Sequence, residues 1–266
     1  MKLFYRDLGT GKPLIILHGL YGSSDNWLTV AKSLSVKYHV FIPDLRNHGN
    51  SDHSPELNYD ILINDLLEFC NDHNIHKTIL LGHSMGGKLA MSFALYFPYM
   101  IEKLIVVDIS PKSYLTEDSF KDHCARHKEI IQALTGLDLN SIESRTGADK
   151  MLAEKINSRR IRQFLLKNLK RDKQGHYSWK FNLESIKNNL RKLMDEIPVM
   201  KSHNSHLLPS LFIKGANSDY IQDDEEDELR VVFPSSRIVR IEDAGHWVHA
   251  EQTDKFLDAI LHFLDN

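Results

Sequence analysis

Cysteine is almost missing from this 266-residue chain: only Cys70 and Cys124 are present. They lie far apart with no CxxC spacing, which argues against a disulfide framework and against a cysteine-based zinc cluster. Both read as buried thiols. No stretch approaches the ~18 consecutive apolar residues that cross a bilayer, so no membrane span is expected. The first apolar run is short and broken by Arg6, Asp7 and Lys12. It does not read as a signal peptide, and the cytoplasm is the expected location. An excess of one charge is lacking too. A net charge of −3 points to no polyionic partner, and no nucleic-acid partner is expected. There is no internal repeat and no low-complexity linker, and nothing specifies an oligomeric state. The hydrophobic share of 42% and charged share of 26% are those of an ordinary globular protein. The length allows one large core, or a core carrying an insertion.

What is present is alternation. "PLIILH" (Pro13 to His18), "YHVFIPD" (Tyr38 to Asp44), "KTILLGH" (Lys77 to His83) and "IEKLIVVDIS" (Ile101 to Ser110) are apolar runs that read as buried strands. Between them, "DNWLTVAKSL", "YDILINDLLEFCNDHNI" and "MGGKLAMSFALYFP" have helical spacing. Strands alternating with helices imply an α/β fold, a parallel sheet covered on both faces. From Lys112 to His206 the pattern changes to polar and helical, with 19 Lys and Arg against 12 Asp and Glu. Alternation then resumes through "LPSLFIKG", "DDEEDELRVVF", "RIVRIED" and "TDKFLDAILHFL". The expected organisation is a core of residues 1–111 and 207–266, interrupted by a helical insertion over 112–206. The positive balance of that insertion is too weak to indicate nucleic-acid binding.

Three segments carry chemistry. "GHSMGG" fits G-x-S-x-G at Gly82, Ser84 and Gly86, with a strand before it and a helix after it, the context that motif requires. Ser84 is the candidate nucleophile. The N–H of Met85, at the helix N-terminus, is aimed where negative charge would develop. A serine needs a base, and "EDAGHWVHAEQ" supplies His246 in a loop after the last strand, on the sheet edge where active sites of open α/β sheets gather. Nearby His249 reads as structural. "LHGLYGS" ends the first buried strand in a glycine-rich loop, where the Leu20 N–H is the second candidate oxyanion donor.

These segments, with "DLRNHGNSD", "VVDISP" and "AGHWVHAE", resemble the α/β-hydrolase superfamily over essentially the whole chain, and most narrowly its YbfF-type esterases and their abhydrolase-domain relatives. The resemblance implies an eight-stranded, mostly parallel sheet and a helical cap at 112–206. It also implies hydrolysis of carboxylic esters or thioesters through an acyl-serine, without metal or organic cofactor. The substrate would be a small to medium acyl ester; the positive insertion also suits anionic carriers such as acyl-CoA. Two other functions share the pattern: a lyase or C–C hydrolase using the same Ser/His pair, and a ligand-binding receptor without chemistry.

The third triad member is open. The superfamily usually places it in G-x-x-D after the cap, but "KGANSDYI" puts Ser218 at that spacing and Asp219 one residue late. Asp108, ending the strand after the nucleophile's, is the favoured acid: a charge after four apolar residues demands a partner, and the narrower resemblance to the YbfF-type esterases implies an acid at this strand. Asp219 is the alternative, and Ser218 a candidate helper. Asp44, Arg46 and His48 read as fixing their own loop. In the insertion, Tyr114, Phe164, Trp179 and Phe181 are candidate pocket walls.

Overall fold

The computed structural model describes residues 1–115, 123–197 and 207–266. Its centre is a seven-stranded sheet among the described residues. The strands are β1 (Tyr5–Leu8), β2 (Lys12–Leu17), β3 (Tyr38–Pro43), β4 (Thr78–His83), β5 (Ile101–Val107), β8 (Ser210–Gly215) and β9 (Ser236–Ile241), in the order β1-β3-β2-β4-β5-β8-β9. All neighbours are parallel except β1, which pairs antiparallel with β3 at the edge. The sheet therefore has seven strands where the family resemblance implied eight.

Strand side chains alternate between two cores. Leu14, Ile16, Ile79, Leu81, Ile105 and Val107 face α1 (Leu28–Leu34) and α10 (Thr253–Asp265) through Ala31, Leu34, Phe256 and Ile260. Ile15, Leu17, Leu80, Leu104 and Val106 face α2 (Tyr59–Asp72) and α3 (Met85–Tyr96) through Leu66, Phe69, Leu89 and Phe93. Every position of β4 is buried, as a central strand covered on both faces requires.

Between β5 and β8 the chain forms α4 (His123–Thr135), α5 (Arg145–Ala153), α6 (Arg159–Leu166), a hairpin of β6 (Leu169–Arg171) and β7 (Tyr177–Trp179), and α7 (Leu183–Met194). The two chain crossings that bound these elements are joined. Tyr114 N–H donates to Met194 O at 2.7 Å and Ile197 N–H to Pro111 O at 2.9 Å. Lys88, 1% exposed on α3, sends its ammonium to the carbonyls of both Lys112 (2.8 Å) and Asp195. The expected boundary at His206 lies outside the described residues. After β8 come α8 (Glu226–Val232) and, beyond β9, the short α9 (Val248–Glu251). Among the described residues no helix is long and apolar enough to cross a membrane.

Candidate active site

β4 runs directly into α3, and the junction is Ser84, with φ +53° and ψ −120°. A non-glycine residue held there costs ~1–3 kcal/mol, which surrounding packing must impose. The flanking glycines are sterically required. A Cβ on Gly82 would lie 2.1 Å from Gly86 O, and one on Gly86 2.4 Å from Leu17 O. The result is a sharp elbow that projects Ser84 from the carboxyl end of a central strand. Met85 is the first residue of α3, so its N–H has no acceptor within the helix. Leu20 is a central residue of the turn closed by Gly22 N–H to Gly19 O at 2.9 Å, a bond that does not engage the Leu20 N–H.

Asp108 follows β5 with φ +52° and is fully buried. Three donors converge on it. Gly215 N–H reaches Oδ1 at 3.0 Å, the Ser218 hydroxyl reaches Oδ2, and His246 Nδ1 lies 2.7 Å from Oδ2. That contact leaves Nε2 of His246 as the imidazole's free acceptor. Ser84 and His246 line one cavity of about 250 Å³. Asp219 is placed elsewhere: it is ion-paired with Arg126 at 2.6 Å on the cavity rim. Ser218 bridges from the β8 loop to the same carboxylate oxygen as His246.

Burial dominates the electrostatics. It pushes the Asp108 carboxyl up to about 7, against the lowering effect of the Ser218 and Gly215 hydrogen bonds. It pushes the His246 imidazole down to about 3. Asp108 and His246 share a hydrogen bond, so a proton taken up at either belongs to the pair. Above about 7 it holds a carboxylate and a neutral imidazole, the state able to accept a proton from a hydroxyl.

Several contributors were not singled out from sequence. His83, next to the nucleophile, bonds through Nε2 to His246 O at 2.9 Å, tying the base loop to the elbow. Tyr220 stacks on the His246 ring with centroids 3.8 Å apart and planes 16° from parallel. The apolar walls are Ile130, Ile161, Phe164, Leu165 and Trp247. Of the four aromatic residues expected as walls, Phe164 lines the cavity and the other three do not. Tyr114 is core, its hydroxyl donating to Tyr220 O at 2.7 Å, and Trp179 stacks on Phe181 at 5.3 Å. His249 is buried and stacked on Trp27 at 4.0 Å. In the β3 loop, Asp44 accepts from Ser24 N–H (2.6 Å) and Asn50 N–H (2.8 Å), while Arg46 grips Asp65 through Nε (2.6 Å) and Nη2 (2.8 Å). His48 Nε2 accepts from the Tyr21 N–H at 3.2 Å.

The sequence matches the family model described as the alpha/beta hydrolase fold over residues 12–253. It is 39% identical to the sn-1-specific diacylglycerol lipase ABHD11 of Danio rerio over 258 residues, covering 96% of this chain and 79% of that protein. It is 33% identical to Esterase YbfF of Escherichia coli (strain K12), covering 96% of this chain and 93% of that one. Among solved structures, a marine microorganism esterase superposes with a TM-score of 0.93 at 40% identity, covering 98% of this chain and 99% of the other.

Proposed function

The chain belongs to the α/β-hydrolase fold family, close to the YbfF-type esterases, and we propose that it is a serine hydrolase of carboxylic esters. The observation that carries this reading is the 2.7 Å contact of His246 Nδ1 with buried Asp108, at a cavity that Ser84 also lines. In the proposed cycle, neutral His246 takes the Ser84 proton as the hydroxyl oxygen attacks the ester carbonyl. The Leu20 and Met85 N–H groups receive the oxyanion, each such donor contributing about 3 kcal/mol. His246 returns the proton to the departing alcohol, and water, activated by the same imidazole, frees the acid. Asp108 holds the tautomer and stabilises the imidazolium; Ser218 helps hold Asp108. Asp219 is left outside this set because its partner is Arg126.

Residues 112–206 are proposed as a cap over the site, since α4 and α6 supply His127, Ile130, Ile161, Phe164 and Leu165 to the cavity. The names of the relatives, an esterase and a diacylglycerol lipase, support ester substrates. Thioesters, acyl-CoA among them, are the second substrate class to assay. The test is a panel of p-nitrophenyl esters and acyl thioesters with wild type and Ser84→Ala. Turnover that Ser84→Ala abolishes is expected; full activity in Ser84→Ala would refute the proposal. Labelling of Ser84 by a serine-directed phosphonate, without turnover of any ester, would favour the lyase or C–C hydrolase chemistry of the same scaffold.

A further inference from the structure

Tyr21 lines the cavity shared by Ser84 and His246. It is 2% exposed, and among the described residues nothing hydrogen-bonds its hydroxyl. Buried polar groups are nearly always paired, because an unpaired one forfeits its hydration without return. Nothing about this residue is loose. Its N–H is bonded to His48 Nε2 at 3.2 Å, its carbonyl accepts from Asn168 Nδ2 at 2.7 Å, and its ring lies edge-on to Phe181 with centroids 5.5 Å apart. Its φ of +61° is one that a bulky residue adopts only under constraint.

His127 stands across from it, the ring centroids 5.7 Å apart. Its Nε2 is 3.4 Å from the Tyr220 hydroxyl, while its Nδ1 is buried and, among the described residues, unpartnered. On the insertion's side the wall is mostly apolar, through Ile130, Ile161, Phe164 and Leu165, with the Arg126–Asp219 ion pair beside them. Two buried, unpartnered polar atoms on facing residues of the chamber that Ser84 also lines are where a ligand atom would find a partner.

We propose that Tyr21 Oη and His127 Nδ1 form a polar subsite for a neutral oxygen, a hydroxyl or a carbonyl, that the ester substrate carries away from its scissile bond. The inference rests on the serine-hydrolase reading and specifies its substrate class. Neutrality follows from the surroundings. Burial keeps the Tyr21 hydroxyl protonated by raising it, and pushes the His127 imidazole down to about 3, so neither group brings charge. Arg126, the cationic residue of the cavity wall, is already ion-paired with Asp219 at 2.6 Å. A carboxylate would enter without a counter-charge and lose its hydration. A plain hydrocarbon would leave both protein atoms unpaired, and sites built to bond an oxygen reject analogues that lack it.

The test compares kcat/KM in two matched series. One pairs p-nitrophenyl hexanoate with its oxo- and hydroxy-substituted analogues, placing the oxygen on the acyl side. The other pairs butyl butyrate with its hydroxybutyl counterpart, placing it on the alcohol side. Wild type is expected to favour the oxygenated ester by about tenfold or more in at least one series. Tyr21→Phe should bring that ratio close to unity, and His127→Asn should reduce it. Equal rates in both series, or a preference that survives Tyr21→Phe, would overturn the subsite. Melting gives an independent readout: Tyr21→Phe should melt no lower than wild type, since it removes an uncompensated buried hydroxyl. A drop of several degrees would reveal a structural partner and also overturn the inference. Failure to turn over any ester, plain ones included, would instead remove the hydrolase reading on which it stands.

Discussion

Replacing Asp108 by asparagine changes only one oxygen to an amide, yet the structure makes it a severe test. Every group facing this side chain is a donor: Gly215 N–H at Oδ1, and the Ser218 hydroxyl and His246 Nδ1 at Oδ2. An amide offers one acceptor and one NH₂, so one side must meet a donor with a donor. If the amide oxygen stays on Gly215, the NH₂ faces His246 and selects the tautomer with the proton on Nε2. That nitrogen then cannot take the Ser84 proton. Loss of the tautomer and of the charge that steadies the imidazolium should lower kcat by ~10⁴, about 5.4 kcal/mol at 1.36 kcal/mol per decade. The companion variant Asp219→Asn removes a half-exposed pair with Arg126. Such pairs are worth roughly 0–1 kcal/mol, so its kcat should fall less than about tenfold. Initial rates on a p-nitrophenyl ester measure both, with thermal melting as the check that each variant is folded. A folded Asp108→Asn that keeps a tenth of wild-type kcat, or an Asp219→Asn that loses ~10⁴, would refute the assignment.

The pH profile of kcat/KM should rise through about 7, because below that value the Asp108–His246 pair carries a proton and the base is lost; a flat profile between pH 5 and 9 would contradict the paired titration. Gly86→Ala places a Cβ 2.4 Å from Leu17 O and should cost about 3 kcal/mol or more in urea unfolding, with activity falling alongside. Arg46→Ala takes the bidentate partner from buried Asp65 and leaves it the Met1 ammonium at 3.1 Å; a loss of about 1.5–3 kcal/mol is expected in the same assay.

The sheet was largely legible in the sequence because its inner strands are long apolar runs. β1 was missed: "YRDL" is a partly exposed antiparallel edge strand with little apolar signal. The β6–β7 hairpin is only three residues a side, too short for a periodicity to register. Ser84 and His246 could be picked out because each sits in a recognisable strand-to-loop setting. The acid was harder. Asp108 and His246 are 138 residues apart, and nothing in one strand records which loop it will face. Two grounds single out Asp108 all the same: the cost of a charge at the end of an apolar strand, and the family resemblance, which implies an acid at that strand. The aromatic residues of the insertion show what spacing cannot decide. Trp179 and Phe181 are as apolar as Phe164, and only the packed structure separates a wall residue from two rings stacked on each other.

Lys88 has a mechanical consequence. Its amine grips the backbone on both sides of the inserted helices, at Lys112 and at Asp195, while its own helix begins beside Ser84. Burial pushes the Lys88 amine down to about 7, and lifting the insertion as a body would strip this buried donor of both carbonyls at once, each lost bond costing about 1–3 kcal/mol. That end is therefore the pinned end, and the same screw that pins it is fixed to the helix that starts beside Ser84. The contacts of α6 with the His246 loop are of another kind: Phe164 lies against Trp247 with ring centroids 5.4 Å apart, and the exposed Arg160 pairs with Glu251 at 2.5 Å, so among the described residues that side carries no buried amine anchor.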